Sequence, residues 1–347
     1  ARMTIRGIGT SQSDASLESD VSFMVDGVYL NKTGLGLNDL VDIERIEVLQ
    51  GPQGTLYGKN SNAGVVNITT KKPRPGDADA FIKYENGDYN KSSISSAMTF
   101  GLSDNTAVRL TAHTLESDGW MTNSVDGSSA NGDDNQTIAL KFYYEQDDIS
   151  VFFNHTDISK NSTCCAVDSV DTSAFVASAN AIGAQGALGP YAPADGEYNN
   201  YMFQATPGMP IFNLDSQLTS IRVDQELENG DLTYILARNE YEVDRRWDAD
   251  FSAAEFWSLH RLLPGKSLTN ELRFNSNMMS NIQYTVGVYW SESDYGEYGG
   301  GDAMRAITIG EDFNPVWNGV LTSLTQSIVG LSQLAQAGTA TQAQLAQ

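Results

Sequence analysis

From about residue 80 the chain settles into short segments of alternating apolar and polar residues separated by turn signals, the pattern of an all-β region. Nine strands are expected, near residues 79–87, 91–101, 105–116, 135–146, 149–158, 216–227, 231–245, 267–277 and 281–294. The last is the clearest. Ile282, Tyr284, Val286, Val288 and Trp290 share one face, and Asn281, Gln283, Thr285, Gly287 and Ser291 share the other. The same division sets Val108, Leu110 and Ala112 against Arg109, Thr111 and His113, and Ile138, Leu140 and Phe142 against Thr137, Ala139 and Lys141. An apolar face opposite a small, polar one suits a strand between lipid and a wet lumen. It would also serve a soluble sandwich with one buried face.

The connections decide between the two. Links at 102–104, 146–148, 228–230 and 278–280 are short, whereas 117–134, 159–215, 246–266 and the segment from 295 onward are long. Only the first link, Asp88-Tyr89-Asn90, breaks the order. Short turns at one end and long loops at the other are the rule of outer-membrane barrels, and a soluble sandwich has no reason to segregate them. Single-chain bacterial barrels use an even number of strands, and an open edge cannot face lipid, so truncation at both ends is expected. In the final segment Trp317, Leu321, Leu324, Ile328, Leu331 and Leu334 fall near one helical stripe, with Asn314 as N-cap and Pro315 at the first helical position. Its polar face lacks Lys and Arg, so a helix in a surface loop is expected rather than a membrane anchor.

Composition narrows the class further. The 347 residues leave room for two domains, and residues 1 to about 75 read differently from the rest. A net charge of -23 argues against a nucleic-acid partner, because phosphate binding needs clustered Lys and Arg. It suits a surface that meets cations or cationic chelates, and it is equally compatible with solubility alone. No apolar run reaches the length of a membrane-spanning helix, which leaves a β-barrel as the way to cross. The start, Ala1-Arg2-Met3-Thr4-Ile5, carries no secretory signal. Cys164 and Cys165, the only cysteines, are adjacent, so they form neither a disulfide framework nor a zinc site. They are expected in an extracellular loop, as a vicinal disulfide or as free thiols. His113, His155 and His260 are not at ligand spacing and stand beside no plausible nucleophile, so no enzyme, cofactor or metal site is expected.

The first 75 residues carry the motifs. They read MTIRGIG from Met3, VSFMVDGVYL from Val21, and DIERIEVLQGPQGTLYGKNSNAGVVNITTKKP from Asp42. Asp26-Gly27 supplies a tight hairpin turn. Ile43, Ile46 and Val48 alternate with charges until Gly51-Pro52 ends the strand, since Pro cannot donate to a ladder. Gly54, Gly58 and Gly64 permit positive φ or close backbone approach. Val65, Val66 and Ile68 make a buried strand, and Lys71-Lys72-Pro73-Arg74-Pro75 makes an extended linker.

In wording and order these segments strongly resemble the plug domain of TonB-dependent outer-membrane receptors. The positions that carry the likeness include Gly7, Asp26, Gly27, Gly51, Pro52, Gly54, Tyr57, Gly58 and Gly64. The resemblance implies an α+β plug at 1–75 followed by a transmembrane antiparallel β-barrel at 76–347, in the bacterial outer membrane against lipid. It implies TonB, with its inner-membrane energising complex, as partner. The usual cargo is a ferric siderophore or similar metal chelate; cobalamin, haem, an oligosaccharide, or a passive porin-like or adhesin role are the alternatives. The TonB box would lie before residue 1. The resemblance further implies that Arg6 and Arg45 of the plug meet a glutamate on the wall, for which Glu271 is the candidate. It also places Ser11, Gln12, Ser13, Asn31, Lys32 and Thr33 in apical loops that help to bind cargo.

Overall fold

The structure is a computed structural model and describes residues 3–10, 19–30, 40–58, 60–123, 126–166, 202–203, 210–248, 257–277, 283–296 and 307–309. Its first unit is a four-stranded sheet. Strands β1 (Val21–Val25) and β2 (Val28–Leu30) form a hairpin in which Val25 pairs with Val28. Asp26 and Gly27 both take positive φ, 50° and 86°, the backbone of the turn that matches strand twist. Strand β3 (Ile43–Gln50), the short helix α1 (Gly54–Tyr57) and strand β4 (Gly64–Thr70) complete the unit. The order is β2-β1-β4-β3, with β1 and β4 parallel and the other pairs antiparallel. At Gly64 a side chain would collide with the Leu49 carbonyl and the Ile5 side chain, so the sheet closes only over glycine. Ile5, Val21, Phe23, Ala63, Val66 and Ile68 form its apolar core.

Strands β5 (Ala80–Asn86), β6 (Ser92–Ser103) and β7 (Thr106–Ser117) begin the second unit. Beyond β7, β8 (Met121–Asn123) and β9 (Ser129–Ala130) lie in the connection to β10 (Asp133–Gln146) and β11 (Ile149–Ser162). There follow β12 (Met202–Phe203), β13 (Ile211–Leu227), β14 (Gly230–Asp248), β15 (Trp257–Ser276), β16 (Thr285–Tyr295) and β17 (Ile307–Ile309). The long strands join in the order β5-β6-β7-β10-β11-β13-β14-β15-β16, each antiparallel to the next. These are the nine strands expected, in an incomplete and unclosed sheet among the described residues. No described helix is long and apolar enough to cross a membrane. Residues 281 and 282 and the helical stripe from Asn314 lie outside the described residues.

Strand β15 starts well before the expected residue 267, through Pro264 and Gly265, which read as breakers. The Pro264 carbonyl accepts from the Gly296 amide at 3.0 Å, so its ring nitrogen faces that same side. The last pair between β15 and β16 is Gly265 with Tyr295, so the ladder to β14 loses no donor. Gly265 is required because a β-carbon there would enter the Tyr241 ring.

The two faces of the wall differ as the alternation predicts. Leu110, Ile138 and Leu140 are exposed outward, while Arg109, Thr111, His113, Thr137, Ala139 and Lys141 are buried inward. The first unit covers that inner face. Its hairpin residues Val28 and Leu30 share one apolar cluster with Leu214, Leu218, Ile235, Ala237 and Tyr241 of the wall. Past the far end of β11, Cys164 and Cys165 are joined as a vicinal disulfide. There the Asn131 amide donates to the Ala166 carbonyl (3.1 Å) and its oxygen accepts from the Ala166 N–H (2.9 Å).

If the apolar outer face meets lipid, a charge there should be costly. Leu140→Arg, mid-strand and outward, is expected to lower folding stability in bilayers by about 2–4 kcal/mol at membrane mid-depth. Urea titration of the full-length protein in lipid vesicles measures it; wild-type stability would contradict the lipid assignment.

Candidate functional site

The point where plug and wall are fastened is Asp42, one residue before β3. Its φ is 58°, and its carbonyl accepts from the Lys71 amide at 2.9 Å, which ties it to the end of β4. This turn aims the carboxylate at the inner wall. Arg109 on β7 donates to it twice, Nε to Oδ2 at 2.8 Å and Nη2 to Oδ1 at 2.6 Å, the two-bond grip for which a guanidinium is shaped. Thr111 donates to Oδ2 at 2.9 Å, and Lys141 on β10 donates to the same oxygen at 3.2 Å and to the Lys71 carbonyl at 3.1 Å. The Asp42, Arg109 and Lys141 side chains are only 2, 0 and 3% exposed, so this is a buried ion cluster.

Asp79, at the entry to β5, closes the other side of the cluster. It accepts from Arg109 Nη1 at 3.1 and 3.2 Å, and from Lys71 at 2.6 Å. Arg109 Nη1 also donates to Thr99 at 2.6 Å. Burial alone would raise the Asp42 pKa. The bonds from Arg109 and Thr111 and the charges of Lys141 and Arg109 outweigh it and hold the carboxyl below its ordinary value of 3.8. Asp79, with the Lys71 bond as the main cause, is brought to about 2.

A second tie lies at the hairpin. Asp26 accepts from the Thr70 amide (2.9 Å) and hydroxyl (2.8 Å) and from the Asn154 side chain of β11 (3.3 Å). Near the short-turn end a cavity of about 1010 Å³ separates plug from wall, with Glu44, Arg45, Lys72 and Arg74 on one side and Arg222, Glu271 and Arg273 on the other. Burial, and then the nearby charge of Arg222, push the Lys72 pKa down.

The expected meeting of Arg45 with Glu271 does not form. Both line the cavity, but Arg45 pairs with Glu44 and Glu47 at 3.3 and 3.4 Å, and Glu271 with Arg273 at 3.0 Å. Each finds a partner on its own strand, where no gap has to be crossed. Arg6 is exposed at φ 51° in the turn that the Ile5–Ile8 bridge closes, and makes no ion pair among the described residues. The remaining motif positions build the plug itself. Gly7, Gly51 and Gly58 take φ of 80°, 85° and 73°, Pro52 follows β3, and Gly54 and Tyr57 bound α1. Ser11, Gln12, Ser13, Asn31, Lys32 and Thr33 lie outside the described residues.

The sequence reading missed the Asp42 cluster. A signal existed: Arg109 and Lys141 are large cations at inward positions otherwise held by small polar residues. Their partner, 67 and 99 residues away, is not a local pattern.

A small α+β unit fastened to the inner face of an antiparallel wall whose outer face is apolar defines a plugged outer-membrane β-barrel. Residues 1–65 match the TonB-dependent Receptor Plug Domain family. The pesticin receptor of Yersinia enterocolitica is 38% identical over 71 residues, 20% of this chain and 10% of the relative. A vitamin B12 transporter of Vibrio vulnificus is 34% identical over 146 residues, 40% of this chain and 24% of the relative. Among solved structures, the ferric yersiniabactin uptake receptor of Yersinia pestis matches with TM-score 0.68 and 18% identity, over 85% of this chain and 44% of that one. The siderophore receptor PiuA of Acinetobacter baumannii matches with TM-score 0.63 and 15% identity, over 85% and 42%. The chain thus spans less than half the length of these relatives. Together the matches show a TonB-dependent receptor plug domain at residues 1–65 and, over most of the chain, the fold shared by solved siderophore-receptor structures.

Removing one member of a buried ion cluster leaves its partners uncompensated, at a cost of about 3–5 kcal/mol. Asp42→Asn in the full-length receptor is expected to weaken plug retention by that order, read as plug release in denaturant; retention equal to wild type would show that the cluster does not hold the plug. The pH dependence follows from the sign of the shift. A carboxylate with a lowered pKa contributes fully above its ordinary value of 3.8, and the contribution fades as pH falls through the folded value. Release should therefore be flat from neutrality down to that region and rise below it.

Proposed function

We propose that the protein takes up a ferric siderophore or a similar metal chelate across the outer membrane, with TonB supplying the force that displaces the plug. The Asp42 cluster carries this reading. A plug fastened by a buried ion cluster and an apolar contact has to be unfastened before a solute can pass, and that is the step at which TonB would do work. The outer membrane holds no energy source of its own, and TonB delivers inner-membrane proton-motive force from the periplasm. A chelate cargo is supported by the names of the matched structures, a ferric yersiniabactin uptake receptor and a siderophore receptor. Cobalamin is the second reading, favoured by the alignment with the vitamin B12 transporter, which covers 40% of this chain.

The cargo contacts proposed on the plug are Ser11, Gln12, Ser13, Asn31, Lys32 and Thr33. Leu30, which precedes Asn31, packs in the cluster with Leu214 and Tyr241, toward the long-loop end of the wall. Arg45 and Glu271 are assigned to the moving plug rather than to its resting lock, since both line one cavity, and Arg6 is assigned with them.

Uptake of labelled ferric siderophores and of labelled cobalamin by cells expressing the full-length receptor, with and without TonB, tests the proposal. Accumulation of a ferric chelate that vanishes without TonB is expected. Cobalamin accumulation alone would favour the second reading, and TonB-independent accumulation would overturn active transport. Replacing the six apical residues together with Ala should weaken cargo binding to whole cells; unchanged affinity would remove them from the site.

A further inference from the structure

At the long-loop end of β14 and β15 the inner face of the wall changes character. Val243 and Phe212 pack against the apolar cluster that holds the plug hairpin, and the alternation carries Arg245 and Trp247 of β14 onto that same inward face. Across the ladder Arg245 stands directly opposite Arg261 of β15, and Phe212 of β13 flanks it on the other side. Both guanidinium groups lie against one indole, 4.4 Å and 5.6 Å from the centre of the Trp247 ring. The neighbouring inward pairs, Val243 with Leu263 and Trp247 with Leu259, bring no counter-charge. Like charges directly opposite one another weaken a strand pair. The outward face of the same stretch avoids this, because Asp244 pairs with Arg246 at 3.0 Å and with His260 at 2.8 Å. Arg245 has no such relief and makes no hydrogen bond or ion pair among the described residues. An aromatic ring attracts a cation but does not cancel its charge.

We propose that Arg245, Arg261 and Trp247 form a binding site for a small anionic solute that carries a carboxylate or phenolate on an aromatic ring. A carboxylate accepts two parallel bonds from the planar fork of Arg245, and its charge offsets the repulsion from Arg261. The ring of such a solute finds flat apolar surface in Phe212 and Trp247. Arg245 is exposed, so the pair is open to solvent on the lumen side, one step beyond the plug hairpin. A polyanion is disfavoured, because the chain as a whole carries a net charge of -23 and would repel it. The site rests on the reading of the chain as an uptake receptor and narrows its cargo to chelates built with aromatic acid groups.

Equilibrium binding of benzoate to the purified full-length receptor in detergent tests the site without TonB and without transport. It can therefore fail while uptake stands, and hold while uptake fails. Benzoate should bind saturably, and more tightly than acetate, which has the charge without the ring, or benzamide, which has the ring without the charge. Arg245→Met should weaken benzoate by about tenfold or more, the weight of a charged hydrogen bond. Arg245→Lys, which keeps the charge and loses the fork, should restore only part of that loss. Trp247→Leu should bring benzoate down toward acetate. No saturable binding, equal binding of the three probes, or an unchanged benzoate affinity in Arg245→Met would overturn the site. Should Arg245→Met fail to fold, Arg245→Lys decides in its place, with wild-type affinity as the refuting result.

Discussion

Everything in this arrangement depends on one carboxylate buried between two cations. Asp42 is held below its ordinary pKa although burial opposes ionisation, which means that Arg109, Thr111 and Lys141 together outweigh the loss of water. A cluster of this kind is a weak source of stability when compared with a greasy contact of the same volume, and a strong source of position. The apolar cluster of Val28 and Leu30 with the wall could tolerate small slips, whereas the two-bond grip of Arg109 on Asp42 cannot. Register between plug and wall is therefore set chiefly on β7 and β10, with the bond from Asn154 of β11 to Asp26 as a second tie.

The rest of the interface is arranged so that this point dominates. Across the large cavity the charges are numerous, but the ion pairs of Arg45, Arg222 and Glu271 run within their own strand. Such exposed or half-exposed pairs are worth little individually and bind plug to wall not at all. One side of the plug is thus fastened and the facing side is merely neutralised. The asymmetry is a property of sequence placement, because alternate positions on a strand put Glu271 and Arg273 side by side on one face.

Much of this was legible beforehand, for identifiable reasons. A period of two needs only a few residues to declare itself, so the strands around Leu110, Ile138 and Val286 could be read locally. The hairpin at Asp26-Gly27 was equally plain, because two positive φ values in sequence demand that chemistry. The early start of β15 was hidden because Pro264 looks like a stop; only the direction in which its nitrogen faces shows why it is allowed. The lock was misread for a different reason. Arg45 and Glu271 have the right charges and the right faces, but the contact a side chain makes depends on what is nearest, and the nearest groups were neighbours along the strand.

On the proposed withdrawal of the plug, the Asp42 carboxylate would leave the lumen with it. Arg109 would still have Asp79 and Thr99, whereas Lys141 would lose both its carboxylate and the Lys71 carbonyl. Around the large cavity Arg222 and Arg273 keep Asp224 and Glu271 beside them whether or not the plug is in place. At the height of Lys141 the vacated passage would then turn locally positive, and an anionic solute would meet a transient well there.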